Sequence, residues 1–185
     1  MWPRYAAWWD KMVVNASRRS EFEALAKFAV DHKGVYQSIA ALTGVPWELI
    51  AVLHRRESDA NFHTYLGNGQ PLIHRTTIVP KGRGPFLGSH AFIDGAVDAL
   101  KLEGMVDVKD WRLEKQLFWA QAFNGFGYPE IPSPYIWGGT SVQVPGKYIR
   151  DHVYDPSFWD LQPGCAPLLA TIAQFDPTVK FTRET

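Results

Sequence analysis

Residues 45–85 have the sequence VPWELIAVLHRRESDANFHTYLGNGQPLIHRTTIVPKGRGP. The first part predicts a helix, because Pro46 suits a first helical position and apolar side chains follow it at helical spacing. Glu57 lies at the edge of this apolar stripe, near the carboxyl end of the helix. We expect partial burial and the helix dipole to raise the pKa of its carboxyl group, which could then act as a general acid. The alternative is an exposed Glu57 that pairs with Arg55 or Arg56.

The second part of the stretch predicts a turn-rich lobe. Asn68-Gly69 favours a tight turn, since this pair accepts positive φ. Residues 76–79, Thr-Thr-Ile-Val, predict a strand, so we expect a small β-hairpin or an irregular β-lobe between residues 61 and 80. The hydroxyl groups of Thr76 and Thr77, and the amide of Asn124, are candidates to orient a water molecule.

The rest of the chain predicts a mainly helical protein. Helical periodicity covers residues 1–16, 17–31, 34–42, 93–104, 111–124 and 165–174. Ser20 and Glu23 have the spacing of a capping box. Residues 129–163 instead predict a long aromatic loop region, and long loops often carry function. Tyr135 and Trp137 are therefore candidates to contact a ligand, with packing in the core as the alternative.

Composition excludes several classes of function. The 185 residues are 46% hydrophobic, enough for one well-packed domain, and carry 19 basic and 19 acidic side chains. This zero net charge argues against nucleic acid or an anionic membrane as the partner. Cys165 is the only cysteine, so no internal disulfide can form. The histidines lack zinc-binding spacing, and we expect no metal and no cofactor. We also expect no signal peptide and no membrane insertion, because the sequence has no suitable apolar run.

The order of these segments resembles the lysozyme-like superfamily of goose-type lysozymes, lytic transglycosylases and phage endolysins. Arg-Arg-Glu57-Ser58, followed by Phe62, resembles the helix-end motif that contains the catalytic Glu. The turn and Thr-rich segment after it resemble the β-lobe on one wall of the cleft. Residues 123–128, Phe-Asn-Gly-Phe-Gly-Tyr, resemble the Tyr-Asn-Gly motif that closes the sugar site. The chain departs from the pattern at Gln70, where relatives often carry Asp, and it lacks the Gly-Leu-Met-Gln stretch of transglycosylases.

The resemblance implies a mainly α, lysozyme-like fold with a small β-hairpin lobe beside the catalytic cleft. Residues 1–185 would form a single catalytic domain, on which residues 1–33 pack as an N-terminal helical extension. The implied enzyme is an N-acetylmuramidase that cleaves the β-1,4 bond between N-acetylmuramic acid and N-acetylglucosamine in peptidoglycan, the chemistry of which lysozyme is the type case. Glu57 would protonate the leaving oxygen, and Thr77 or Thr76 would position water or the acetamido group. The residues expected to bind the glycan are Asn68, Asn124, Tyr128, Tyr135 and Trp137.

Two alternatives stay open from the sequence. One is a lytic transglycosylase, which uses a single Glu and forms a 1,6-anhydro product. The other is a non-catalytic module that binds peptidoglycan or chitin. In each case we expect a monomer whose partner is the glycan strand. As a phage-type endolysin it would stay in the cytoplasm until lysis, or it would be carried on a virion.

Overall fold

The computed structural model describes residues 2–128, 131–150 and 153–183. These residues are mainly helical, as the sequence predicts, and include a small two-stranded antiparallel sheet. The elements in chain order are α1 (Trp2–Lys11), α2 (Arg19–Asp31), α3 (Lys33–Thr43), α4 (Trp47–Ser58), α5 (Ala91–Leu102), α6 (Leu113–Asn124), α7 (Pro134–Trp137), β1 (Lys147–Arg150), β2 (Val153–Asp155) and α8 (Cys165–Phe175).

The ends of the N-terminal helices differ from the prediction. Helix α1 ends at Lys11, and a short 3-10 turn at Ala16–Arg18 leads into α2. Ser20 therefore lies inside α2 rather than before it, so it does not cap that helix. The predicted capping box with Glu23 is wrong.

The predicted strand at residues 76–79 is also wrong, and the irregular alternative describes residues 61–80. Within the described residues this segment consists of turns and one isolated bridge, between Thr64 and Pro71. The observed hairpin is β1–β2, where Tyr148 lies opposite Tyr154. It falls in the region that the sequence predicted as loop, although its aromatic and β-branched side chains are typical of strands.

The chain divides into two compact units. The central unit is Asp31–Trp111, and the terminal unit combines Met1–Val30 with Arg112–Thr185. The first 30 residues thus belong to the same unit as residues 112–185, and α1 packs against α6.

Helix α4 forms the core of the central unit. Residues 47–54 are all buried, so the helix is enclosed on every side rather than along one stripe. Helix α3 packs against both α4 and α5. The chain turns from α3 towards α4 at Gly44, which has φ of 76°. Leu49, Ile50 and Leu53 are fully buried, and each contributes about 1.5–3 kcal/mol to folding.

His54 lies in an aromatic cluster at the end of this buried part. The Tyr36 hydroxyl group is 3.0 Å from His54 Nδ1, and the rings of Phe62 and Phe92 lie 4.8 and 4.3 Å from the imidazole, centroid to centroid. Burial lowers the pKa of His54 to about 4; a backbone hydrogen bond at Asn61 opposes this shift, and the charge of His32 adds to it. His54 is therefore a neutral core residue at neutral pH.

The terminal unit is built around α6, α7 and α8, which contact one another. Helix α7 meets the start of α8 through two glycines. A side chain on Gly164 would lie 2.4 Å from the backbone nitrogen of Gly138, so this close approach requires glycine. Near the C-terminus, Arg183 forms ion pairs with Asp10 and Glu114.

In the part of the chain that the structure describes, no single helix is long and apolar enough to cross a membrane. Helices α3 and α4 are long and apolar enough only when they are taken together, and the chain bends by 111° between them.

The lowered pKa of His54 predicts a pH-dependent stability. Between pH 6.5 and 4 the unfolded chain binds a proton at His54 that the folded chain does not, so the free energy of unfolding should fall by about 3 kcal/mol as pH decreases through this window. His54→Phe should remove this part of the pH dependence. Urea unfolding at pH 7, 5.5 and 4.5 measures it, with His63→Gln, at an exposed histidine, as the control. An unchanged slope in His54→Phe would contradict the assignment.

Candidate functional site

Glu57 lies in the last turn of α4, where the helix leaves the core. Its side chain is half-buried, whereas residues 47–54 before it are buried. The hydroxyl group of Ser58 donates a hydrogen bond of 3.2 Å to the carbonyl oxygen of His54 and so helps to close the helix end. Glu57 thus belongs to a buried helix and lies at the end of that helix that reaches the surface.

The chain reverses directly after this helix. Asp59 and Ala60 both have positive φ, 58° and 56°, which is uncommon for residues with a side chain and costs about 1 kcal/mol or more each. The N–H group of Ala60 donates to the carbonyl oxygen of His54 at 3.1 Å. Asp59 forms a 2.7 Å ion pair with Arg55, but its side chain is 83% exposed, so the pair adds little stability.

The turn predicted at Asn68-Gly69 packs on this helix end. Gly69 has φ of 71°, and a side chain at this position would approach the carbonyl oxygen of Glu57 to 3.3 Å. Both the backbone conformation and the space favour glycine here. The structure therefore brings the Glu57 end of α4 and the Asn68–Gly69 turn together.

Gln70 holds the loop that follows. Its Oε1 atom accepts hydrogen bonds from the backbone N–H groups of Thr77 (2.7 Å) and Ile78 (3.1 Å), while its Nε2 atom donates to Thr77 Oγ1 at 2.9 Å. Asn68 supports the same loop, since its side chain donates to the carbonyl oxygen of Ile78 and accepts from the N–H group of Gln70. The amide of Asn68, which the sequence assigned to glycan binding, is thus engaged within the loop.

The two threonines differ in environment. Thr77 is exposed; its Oγ1 accepts from Gln70, and no described residue accepts a hydrogen bond from its hydroxyl proton. Thr76 is buried, and its hydroxyl group donates to the carbonyl oxygen of Pro80 and accepts from the N–H group of Arg83. The proton of the Thr76 hydroxyl group is thus used within the turn, so of the two threonines Thr77 is better placed to donate to a ligand.

The far end of the loop is anchored to α5. Arg83 forms an ion pair with Asp98, whose carboxylate also accepts a 2.8 Å hydrogen bond from the hydroxyl group of Tyr65. Partial burial alone would raise the pKa of Asp98, but the hydrogen bonds from Arg83 and Tyr65 and the charge of Arg83 lower it overall. Asp98 therefore stays ionised and holds Arg83 in place.

The remaining predicted site residues belong to the terminal unit. Asn124 is exposed at the end of α6, before Gly125. Tyr128 is half-buried, and its hydroxyl oxygen accepts a hydrogen bond of 3.1 Å from the N–H group of Tyr148.

Tyr135 and Trp137 do not lie in an open loop. Both belong to the short helix α7 and are buried, and Trp137 is 0% exposed with its ring edge-on to Trp8 at 5.8 Å. A fully enclosed indole has no free face for a sugar ring. The prediction that these aromatic residues contact ligand is wrong, and the core alternative describes them.

Sequence reasoning missed the part played by Gln70. The sequence offered only one signal, namely that a residue with an amide follows an Asn-Gly turn six positions before the Thr-Thr pair. Within the described residues, no group of three or more His, Cys, Asp or Glu side chains is arranged to hold a metal ion.

Comparison of the chain with family models, with curated proteins and with solved structures finds no match.

The burial of Trp137 predicts a large effect on stability. Trp137→Ala should lower the free energy of unfolding by about 3–5 kcal/mol, because it leaves a cavity in the terminal unit. Trp159→Ala, which removes an indole that is 44% exposed in the same unit, should have a much smaller effect. Chemical denaturation of both variants measures this difference, and equal losses would refute the core assignment.

Proposed function

We propose that the protein is a lysozyme-type N-acetylmuramidase that cleaves the glycan strands of peptidoglycan, with Glu57 as the general acid. One observation carries the proposal: a half-buried carboxyl group stands at the end of a buried helix, beside a loop that presents the hydroxyl group of Thr77. The resemblance of the Glu57 and Asn124 motifs to lysozyme-like sequences gives the reaction class.

The position of Glu57 at the end of a buried helix suits proton transfer. A general acid must be held at a fixed, short distance from the glycosidic oxygen. Because residues 47–54 of α4 are buried, the helix restricts the movement of Glu57. In the reaction, Glu57 donates its proton to the leaving oxygen as the bond to the anomeric carbon breaks and positive charge develops on the sugar ring.

Thr77 is placed to act as a hydrogen-bond donor. A threonine hydroxyl group has one proton, and Gln70 donates to its oxygen, so the proton is directed to another acceptor. In the proposed mechanism this acceptor is the attacking water molecule or the acetamido oxygen of the substrate. Asn68 serves this step indirectly by holding the loop, and Asn124 and Tyr128 remain proposed glycan contacts.

The acidic residues around these elements favour a mechanism with one catalytic carboxyl group. Asp59 pairs with Arg55, and Asp98 pairs with Arg83 and Tyr65. A carboxylate that already has a cationic partner is a poor nucleophile or base. The same feature supports the second candidate, a lytic transglycosylase, in which the sugar's own hydroxyl group attacks and a 1,6-anhydro product forms.

Replacement of Glu57 tests the acid. Glu57→Gln should reduce murein cleavage about 10²–10⁴-fold, because the amide has a similar shape but cannot donate an acidic proton. Asp107→Asn, which changes a side chain that is 88% exposed in the same unit, is the control and should retain activity. Soluble muropeptides released from purified murein give the rate. The assignment fails if Glu57→Gln keeps more than a tenth of the activity while it is folded.

The two threonines give a second test. Thr77→Val should slow cleavage about tenfold with little change in melting temperature, since valine keeps the β-branched shape but loses the donor. Thr76→Val should instead lower the melting temperature, because it leaves Arg83 N–H and the carbonyl group of Pro80 without their partner. Mass spectrometry of the products distinguishes the candidates: a reducing N-acetylmuramic acid end supports the hydrolase, whereas an anhydro end supports the transglycosylase. Full activity of Thr77→Val would remove Thr77 from the mechanism.

A further inference from the structure

The chain contains two Asn-Gly pairs, Asn68-Gly69 and Asn124-Gly125, and the structure places them in different environments. Asn-Gly pairs are open to an intramolecular reaction of the asparagine amide, because glycine has no side chain to shield the backbone nitrogen that attacks. The two reacting groups are neighbours in the chain, so the reaction needs only a rotation that brings them together. Whether a pair reacts therefore depends on how firmly the fold holds it.

The fold holds Asn68-Gly69 firmly. The Nδ2 atom of Asn68 donates to the carbonyl oxygen of Ile78 at 3.3 Å, and its Oδ1 atom accepts from the N–H group of Gln70 at 3.1 Å. The N–H group of Gly69 donates to the carbonyl oxygen of Tyr65 at 2.8 Å, and the glycine packs on the end of α4. Both the amide and the nitrogen that would attack it are thus bound in place.

Asn124-Gly125 has more freedom to rotate. Asn124 is the last residue of α6 and is exposed, and no described residue forms a hydrogen bond with its side-chain amide. Apart from the adjoining residues, no atom lies within 4 Å of the position that a Cβ atom on Gly125 would take. One bond opposes rotation, since the N–H group of Gly125 donates to the carbonyl oxygen of Ala122 at 3.0 Å. Bonds in the last turn of a helix open readily, because helix ends fray.

We propose that Asn124 is a site of spontaneous modification, at which the side-chain amide becomes a carboxylate. The backbone nitrogen of Gly125 loses its proton to hydroxide and attacks Cγ of Asn124; an N–C bond forms, the bond to Nδ2 breaks, and ammonia leaves. Water then opens the resulting cyclic imide. Addition at Cγ gives aspartate, and addition at the backbone carbonyl carbon gives isoaspartate, in which the chain continues through the side chain. In total, one amide and one water molecule become a carboxylate and an ammonium ion.

The modification places a negative charge at the carboxyl end of α6. This end of a helix dipole disfavours negative charge, so the last turn of the helix becomes less stable. The proposed function makes Asn124 a glycan contact, and on that basis the modification also lowers murein cleavage. This second consequence rests on the proposed function, whereas the modification itself does not.

The experiment stores the folded, full-length protein at pH 8 and follows each asparagine by peptide mass spectrometry. Asn124 should convert at least tenfold faster than Asn68. In guanidinium chloride, which removes the fold, the two sites should convert at rates within about threefold of each other. Storage at pH 6 should slow the conversion of Asn124 at least tenfold, because less of the backbone nitrogen is deprotonated. Asn124→Gln is the matched control and should keep its amide, because the longer side chain closes a ring more slowly.

Two results would overturn the proposal. One is an intact Asn124 in the folded protein after a storage time that converts the denatured chain, and the other is an equal rate at Asn68 in the folded protein. A tenfold difference that persists in guanidinium chloride would overturn the part assigned to the fold. Murein cleavage, measured relative to the same sample before storage, separates the two proposals: constant cleavage while Asn124 converts removes it from glycan binding and leaves the modification site in place.

Discussion

The enclosure of α4 is the constraint on which the central unit depends. Residues 47–54 are buried on all faces, so α3 and the aromatic cluster around His54 are arranged about this helix. A buried helix can present a functional side chain only where it leaves the core. Glu57 occupies that point, and the position of its carboxyl group follows from the packing of the helix rather than from a local feature of the loop.

Gln70 explains both the irregular loop and the departure of this chain from the lysozyme-like pattern. A strand at residues 76–79 would need a partner strand for its backbone N–H groups; here the Gln70 side chain accepts from two of them. The same amide also donates to Thr77. An aspartate could accept these bonds only over a shorter reach and has no donor for the hydroxyl oxygen when ionised. In this chain, position 70 therefore shapes the loop.

The sequence predicted the features that depend on local periodicity and missed those that depend on distant partners. The helix before Glu57 and the helix at residues 34–42 could be predicted because both follow from neighbouring residues. The strand-like composition at residues 76–79 gave a wrong strand, since the Gln70 side chain takes the place of a partner strand. Trp137 was assigned to a loop because prolines and glycines flank it; its burial depends on the approach of Gly138 to Gly164, which lie 26 positions apart in the sequence. No local pattern contains that contact.

The charge distribution of the protein limits which ligands it can attract. The chain has zero net charge, and its better-buried ionic groups pair with one another, as in Arg83–Asp98, Lys147–Asp160 and Arg183–Glu114. Long-range attraction of a charged partner is therefore weak. What the central unit offers instead is the hydroxyl group of Thr77, which accepts a hydrogen bond from the amide of Gln70. Uncharged groups of this kind select ligands by hydrogen bonding rather than by charge. Binding that rests on them should depend little on ionic strength, because charge screening leaves contacts between uncharged groups almost unchanged.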